Sequence, residues 1–273
     1  MGYSRQYYYK HCKEEQKRRV RERSVLNMIH AERKVLPRLG GRKLYHQIYP
    51  ALQACGLKVG RDGLFSILKE NDLQIKPRRR HINTTNSKHW LKKYPNLIKQ
   101  LAVTAPEQVW VSDITYVKTD EGNCYLNLVT DAYSRKIMGY SMSDNMGTEA
   151  MKPAYEMAIL QRQYNHQLIH HSDRGVQYCS GGYVGLSESA NVLISMTENG
   201  DPYENALAER MNRTLKEEFG LGGQLPTRTH AYQLVKEAVE LYNNYRPHTA
   251  LKMETPQTVH LQKSRLPEAT GTI

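Results

Sequence analysis

The apolar pattern of the chain changes near residue 108, and this change limits the folds that the chain can adopt. Upstream of it, apolar residues recur at helical spacing, whereas downstream they alternate with polar residues as in half-buried strands. The downstream part begins with three strands joined by short turns, after which helices and strands alternate. The strands are predicted at residues 108–118, 124–130, 136–143, 168–171 and 192–196, and the helices at 148–163, 181–190 and 205–219.

Three meander strands followed by alternating helices and strands are the order used by the ribonuclease H-like α/β fold. Other mixed α/β folds can use the same order, so the order alone does not choose between them. We expect a mixed five-stranded sheet with flanking helices in a core at residues 104–223. A helical C-terminal part of the core is expected at 224–262, followed by a tail at 263–273.

The upstream part is predicted to be mainly helical. A basic helix at residues 12–36 lies in an N-terminal segment, 1–38, and ends at Pro37. Two short helices are predicted within residues 39–76, the first kinked or delayed at Pro50. Their glycine-containing connection favours a helix-turn-helix, although a plain helical hairpin has the same pattern. A polar, basic linker is predicted at residues 77–103.

The net charge of the chain is divided unevenly along its length. Residues 1–100 carry 24 Lys and Arg against 7 Asp and Glu, a net charge of +17. Residues 101–273 carry 15 against 20, a net charge of −5. Because so large an excess repels itself unless a polyanion neutralises it, the front of the chain is predicted to bind nucleic acid. For any single basic run, an ordinary solvated surface is the alternative.

Cysteine spacing and hydropathy exclude two other classes of protein. The four cysteines are spaced neither as a disulfide framework nor as a zinc site, so reduced thiols are expected. No apolar run approaches the ~20 residues that a membrane span requires. We therefore expect a cytoplasmic protein that does not enter a membrane.

Three acidic residues lie at positions where this fold would bring them together. Asp113 is in the middle of the first strand, where Asp is unfavourable, Asp173 directly follows the fourth strand, and Glu209 is about one turn into a helix. Each position also has an ordinary explanation as a turn or surface acid, and the spacing alone is weak evidence. Three carboxylates in one place would suit two Mg²⁺ ions, which take oxygen ligands.

Four segments of the chain carry a resemblance to a known family. They are VWVSDITYV, HHSDRGVQY, ENALAERMNRTLKEEF and YNNYRPHTAL, which occupy residues 109–117, 170–178, 204–219 and 242–251. In this order and spacing they resemble the DDE-type transposases of bacterial insertion sequences. The likeness extends over residues 40–260 and is to the second reading-frame product of the insertion-sequence-three family, whose integrase catalytic core is related to retroviral integrase.

The resemblance implies a chemistry and a set of residues for it. Asp113, Asp173 and Glu209 match the three family acids, which implies that they are the catalytic and metal-binding residues. The implied cofactor is Mg²⁺ as two ions, with Mn²⁺ as a substitute. The implied reaction is cleavage at the ends of the element, followed by transfer of the 3′-hydroxyl to DNA.

Positively charged and polar residues near these segments are expected to contact DNA. Arg61 and Ser66 are predicted to read base edges, as the recognition helix of a helix-turn-helix does. Phosphate contacts are predicted for Arg78, Arg79, Arg80, Arg174, Arg213 and Lys216. Arg246 has a structural role as its alternative. The complete set is Arg42, Lys43, Arg61, Ser66, Arg78, Arg79, Arg80, Lys88, Arg174, Arg213, Lys216 and Arg246. His170 and His171 have no suitably spaced partner for a zinc site and are predicted to be supporting strand residues.

The expected partners follow from this interpretation. They are the terminal inverted repeats of the element, target DNA, further copies of the chain assembled on DNA, and an upstream-frame partner or fusion. A nucleoid-associated protein of the bacterial cytoplasm is expected. Two other functions stay open from the residues alone: a non-catalytic DNA-binding regulator of the element and a ribonuclease H-type nuclease.

Overall fold

The computed structural model of the chain describes residues 5–75, 90–198 and 205–262. The predicted contacts at Arg78, Arg79, Arg80 and Lys88 lie outside these residues. Two units can be distinguished, one before and one after the boundary between residues 78 and 79. No described helix is long and apolar enough to cross a membrane.

The first unit is a group of three helices, α1 (Arg5–Val35), α2 (Gly41–Ala54) and α3 (Arg61–Glu70). α1 starts before the predicted position 12, and α2 continues through Pro50, which is exposed. The helices bury one small aliphatic core made of Val25, Ile29, Leu36, Leu39, Leu44, Ile48, Leu52, Leu64 and Leu68. The apolar stripes at helical spacing therefore meet as predicted, while a DNA-binding role for α2 and α3 stays a prediction.

The second unit is built on a mixed sheet. Its strands are β1 (Val109–Thr119), β2 (Gly122–Asp131), β3 (Ile137–Ser143), β4 (Leu168–Ser172), β5 (Val192–Met196) and β6 (Gln224–Leu225). The order across the sheet is β3-β2-β1-β4-β5, with β6 paired to the end of β1. β1 is antiparallel to β2 and parallel to β4, and β4 is parallel to β5. The five predicted strands are confirmed, and the sequence analysis missed only the two-residue β6.

Helices cover both faces of the sheet. α4 (Thr148–Leu160) packs on β2 and β3 and α5 (Gly181–Ser189) on β5, while α6 (Ala206–Glu218) packs on β1 and β2 and α7 (Arg228–Asn244) on β1 and β3. A 3-10 turn (Thr249–Leu251) and α8 (Pro256–Gln262) complete the unit. This arrangement of a mixed sheet and flanking helices is the expected ribonuclease H-like fold.

Buried polar side chains join the beginning of the core to its end. The carboxylate of Glu107 accepts hydrogen bonds from the backbone N–H groups of Gln163 and Tyr164 and lies 3.2 Å from Nε2 of His260 in α8. Nδ1 of His260 is 2.9 Å from the Ser134 hydroxyl. Although burial acts in the opposite direction, the hydrogen bonds from His260, Tyr164 and Gln163 hold the pKa of Glu107 below its ordinary value.

Gly139 of β3 lies against the backbone of α4. A Cβ atom placed on this glycine would lie 1.9 Å from the carbonyl oxygen of Ala154 and 2.9 Å from the backbone nitrogen of Ala158. Backbone atoms of a packed helix cannot move aside as a flexible side chain can. The absence of a side chain at residue 139 therefore sets how closely α4 approaches the sheet.

We expect Gly139→Ala to destabilise the protein by about 1–3 kcal/mol, because the added methyl group forces α4 away from β3. Thermal or urea unfolding measures the change. Gly185→Ala in α5 is the matched control, since nothing lies within 4 Å of a Cβ at that exposed position. The control should be neutral or slightly stabilising, as alanine favours a helix more than glycine does. Equal stability of the Gly139→Ala variant and the unaltered protein would contradict the close approach.

Candidate active site

Asp113 lies in the middle of β1 and on the sheet face that α6 covers. Alternate residues of a strand point to opposite faces, and Val109 and Val111 pack with Ala208 of α6. Asp113, two residues further, belongs to the same face and is half-buried. β1 is the middle strand of the five, between β2 and β4, so this carboxylate is attached to the centre of the sheet.

Asp173 lies one residue beyond the end of β4, next to Asp113. The parallel pairs of β1 and β4 are Val109 with Ile169, Trp110 with His170 and Val111 with His171, a constant offset of 60 positions. The same offset relates Asp113 to Asp173, so continuing the register by two residues puts these two aspartates side by side. Oδ1 of Asp173 accepts a hydrogen bond from the N–H of Gly175 at 2.9 Å, which orients the carboxylate within the turn.

Glu209 is exposed on α6, within a stripe of residues that faces β1. Residues 205, 209, 212 and 216 recur at spacings of four, three and four, which places them on one side of a helix. Nδ2 of Asn205 donates to the carbonyl oxygen of Ser112 at 3.1 Å, and Nδ2 of Asn212 donates to Oδ2 of Asp113 at 2.8 Å. Because the stripe makes contact with β1 on both sides of Glu209, this residue faces the strand that carries Asp113.

The electrostatics of the site agree with this arrangement. Burial raises the pKa of Asp113 to about 7, and the negative charges of Asp173 and Glu209 add to this effect, while the hydrogen bonds from Asn212 and from the Ile114 N–H oppose it. Burial, Tyr183 and then the charges of Asp173 and Asp113 also raise the pKa of Tyr178 well above its ordinary value. The negative charge of Asp173 thus lies close enough to disfavour the ionisation of Asp113.

The donor set of the site fits a divalent cation that prefers oxygen ligands. Carboxylates that disfavour one another's charge are the groups that a bound cation stabilises. Within the described ranges, no three or more His, Cys, Asp or Glu side chains are grouped closely enough to form a metal site. Asp113 and Asp173 are half-buried, whereas Glu209 is exposed on α6.

The two histidines before Asp173 are buried in the sheet. Burial, together with the neighbouring His171, lowers the pKa of His170 to about 3, so its ring is neutral at physiological pH. Nε2 of His170 lies 2.7 Å from the Ser112 hydroxyl, and Nδ1 of His171 lies 2.8 Å from the Ser195 hydroxyl. Both rings stabilise the strands that carry the aspartates, which agrees with their predicted supporting role.

The residues predicted to contact DNA differ in exposure. Arg42, Arg61, Ser66 and Arg213 are exposed, whereas Lys43, Arg174 and Lys216 are half-buried. In the second unit, Arg174 directly follows Asp173, and Arg213 lies one turn after Glu209 on α6. Nζ of Lys216 lies 4.2 Å from the centre of the Tyr116 ring of β1, a cation–π contact within the stripe.

Arg246 is the predicted DNA contact that the structure does not support. Its side chain is only 4% exposed, and its guanidinium forms two hydrogen bonds with the carboxylate of Glu218, at 2.7 and 2.6 Å. The guanidinium also lies 5.4 Å from the centre of the Tyr242 ring. Of the two roles given to Arg246 by the sequence, the contacts with Glu218 favour the structural one, because the charge of the guanidinium is paired within the core.

The sequence analysis missed Asn205 and Asn212. Both are buried, and both use their side-chain amide to contact β1 beside or at Asp113. Their spacing of four and three residues from Glu209 could have indicated them in the sequence. At this spacing the three polar side chains lie on the same side of a helix. What the spacing cannot reveal is that β1 lies against that side.

We expect Asp113→Asn to stabilise the metal-free protein more at pH 8 than at pH 5.5. Because the folded protein holds the pKa of Asp113 at about 7, its ionisation favours the unfolded chain from about pH 4 upward, and the loss of stability is complete above pH 7. Thermal unfolding in EDTA should show the difference between variant and unaltered protein growing by at least about 2 °C between these pH values.

Asp120→Asn is the control, because it removes a carboxylate from an exposed turn of the same unit. Its effect on the melting temperature should be similar at the two pH values. An equal effect of Asp113→Asn at both values would show that Asp113 is not held in its neutral form.

Comparison with known proteins places this geometry in a family. The integrase core domain model matches residues 103–202, and a second integrase core domain model matches residues 190–256. A chain in the cryo-EM structure of the simian T-cell lymphotropic virus intasome with PP2A regulatory subunit B56 gamma is 18% identical. The match covers 85% of this chain and 79% of that chain with a TM-score of 0.50, which supports the fold.

Similar sequences occur in bacterial insertion elements. The 31 kDa protein of insertion element IS600 from Shigella sonnei is 38% identical over 259 residues, which are 93% of this chain and 94% of that protein. Transposase InsF for insertion sequence IS3A from Escherichia coli (strain K12) is 35% identical over 184 residues, 67% of this chain and 64% of that protein. The chain therefore belongs to the insertion-sequence-three family of DDE-type transposases, which are polynucleotidyl transferases.

Proposed function

We propose that the chain cleaves DNA at the ends of its insertion element and transfers the 3′-hydroxyl to DNA in an Mg²⁺-dependent reaction. The observation that carries this proposal is the register of β1 and β4, whose offset of 60 positions also separates Asp113 from Asp173, together with the effect of the charges of Asp173 and Glu209 on Asp113. Besides burial, the charges of Asp173 and Glu209 raise the pKa of Asp113, so the cluster makes the ionisation of this aspartate less favourable. This unfavourable ionisation is explained by a function that requires closely spaced oxygen ligands.

Each side chain has a definite task in this proposal. Asp113 and Asp173 hold two carboxylates at neighbouring positions of adjacent strands, and Glu209 completes the set from α6. These residues would hold Mg²⁺, which, when bound, supplies Lewis-acid stabilisation of the charge that develops during phosphoryl transfer. Arg174 and Arg213 supply positive charge beside the acids, where phosphates of the DNA must lie.

The proposed partners are the terminal inverted repeats of the element, target DNA and further copies of the chain assembled on DNA. The strongly basic residues 1–100 give the chain its affinity for the phosphate backbone. A viral chain of the same fold is found in an intasome, which supports an assembly of several copies on DNA. We also propose that Mn²⁺ can substitute for Mg²⁺, that an upstream-frame partner or fusion takes part, and that the protein acts in the bacterial cytoplasm at the nucleoid.

We expect Asp113→Asn, Asp173→Asn and Glu209→Gln each to lower DNA cleavage and strand transfer by about three orders of magnitude or more, comparable to losing a charge-stabilising group at other active sites. DNA binding should stay nearly intact, because each change keeps the shape of the side chain. Reactions on labelled element ends measure both steps, and gel shifts measure binding.

Glu217→Gln is the matched control, since Glu217 lies on the same helix as Glu209 but outside the stripe that faces β1. It should cleave and join DNA as the unaltered protein does. Full strand transfer by any of the three acid variants would exclude that residue from the site. Cleavage of RNA–DNA hybrids without joining would instead favour a ribonuclease H-type nuclease.

We expect the triple variant Arg78→Ala, Arg79→Ala, Arg80→Ala to bind DNA more weakly. The loss of affinity should be the same for element ends and for random DNA. The three residues form the densest basic cluster of the chain and would neutralise up to about three phosphates, each worth a slope of about −0.9 in log K against log salt. Binding at several salt concentrations should show the slope flattened by up to about three.

Arg61→Ala and Ser66→Ala test the complementary role of α3. Both side chains are exposed on this helix, so their loss should reduce the preference for element ends over random DNA. Competition binding measures the preference. A triple arginine variant that lost only this preference would reverse the assignment of the two regions.

A further inference from the structure

The face of α6 toward β1 carries two buried asparagines, one on each side of Glu209. Asn205 and Asn212 are seven residues apart, which corresponds to two helical turns. They are 6% and 5% exposed. Their amides donate to neighbouring residues of β1, Asn205 to the Ser112 carbonyl and Asn212 to the Asp113 carboxylate. In both contacts the amide nitrogen faces the strand: the Ser112 carbonyl oxygen can only accept, and Nδ2 of Asn212 donates to Oδ2 of Asp113.

Asn205 occupies the position before α6 in which asparagine normally caps a helix. A capping side chain accepts a hydrogen bond from the first turn, but the side chain of Asn205 makes no such bond. Its amide is instead directed to the carbonyl of Ser112, one residue beyond Val111, the last residue of β1 that pairs with β4. The residue directly before α6 is therefore attached to β1 where pairing with β4 has ended.

Asn212 is an unfavourable residue for its place in α6. Asparagine lowers helix stability, and the adjacent face of this helix is apolar, with Ala208, Met211 and Leu215 all buried. Its amide oxygen is buried and has no hydrogen-bond partner among the described residues, which is itself destabilising. The contact that accounts for an asparagine here is the 2.8 Å hydrogen bond to Oδ2 of Asp113.

We propose that Asn205 and Asn212 are positioning residues that hold α6 in register against β1, so that Glu209 faces Asp113. The two amides donate hydrogen bonds to adjacent residues of the strand, Ser112 and Asp113, and are themselves two helical turns apart. A slide or rotation of α6 would break both hydrogen bonds together. This inference rests on the proposed role of Glu209 in the carboxylate site, since the register matters only if that side chain must reach Asp113.

The test uses two substitutions that remove the donor while keeping the size of the side chain. Asn205→Asp retains a good capping residue, and Asn212→Leu retains the packing in the buried face. In the metal-free full chain, hydrogen exchange of the α6 amides should become at least about tenfold faster in both variants, while the α4 amides keep their rates. Capping or packing roles alone would leave the α6 exchange rates unchanged.

Mn²⁺ binding, followed by electron paramagnetic resonance, supplies the second measurement. Both variants should bind Mn²⁺ about 10-fold more weakly, as when a residue that orients a metal ligand is removed. Asn212→Gln keeps a donor and should restore part of the affinity. Asn243→Leu is the matched control, because Asn243 is equally buried but bonds only to the backbone of Ile137. It should destabilise the protein and leave Mn²⁺ affinity unchanged.

The two proposals fail in different ways. Unchanged α6 exchange in Asn205→Asp and Asn212→Leu would overturn the positioning role, whatever the metal affinity. Faster exchange with unaltered Mn²⁺ affinity would also overturn it, since the register would then not serve the site. If Glu209→Gln and the unaltered chain bind Mn²⁺ equally, the proposed function fails, and the exchange rates still show whether the asparagines hold the helix.

Discussion

Strand β1 is hydrogen-bonded to β2 along its length and to β4 at its beginning, and both the sheet and the candidate site depend on this double pairing. Pairing with β4 sets the offset that brings Asp173 beside Asp113. Beyond Val111, β1 is no longer paired with β4, and there the Ser112 carbonyl accepts the hydrogen bond from Asn205. A slip of one residue in this register would turn Asp113 to the opposite face of the sheet, away from α6.

The negative charges of the candidate site are unfavourable to one of its own residues, Asp113. An aspartate in a central strand is unfavourable, and a second one beside it makes ionisation of Asp113 harder. The surrounding core supplies the compensating stability, through the neutral His170 bonded to Ser112 on the other face and the apolar contacts of Val109 and Val111 with Ala208. Local instability at a functional site, supported by a rigid scaffold, is the usual arrangement in enzymes.

Local patterns in the sequence were sufficient to predict the helices and strands, but not the side-chain contacts between them. Alternating apolar residues predicted all five main strands, and the unusual position of Asp113 in a strand pointed to the site. β6 was missed because two residues carry no periodicity, and the continuation of α2 through Pro50 depends on packing of the helix. The burial of Arg246 against Glu218 and the contacts of Asn205 and Asn212 join distant segments, which no local pattern specifies.

The buried polar contacts among Glu107, Ser134 and His260 have a consequence for how the core unfolds. Helix ends near a terminus ordinarily fray before the rest of a domain. Here, detachment of α8 would remove His260 and leave the carboxylate of Glu107 in the interior without one of its partners. Because the loss of a partner makes a buried carboxylate less favourable, detachment of α8 costs free energy, and this cost couples the helix to the sheet. The coupling joins His260 to an acid 153 positions earlier in the chain.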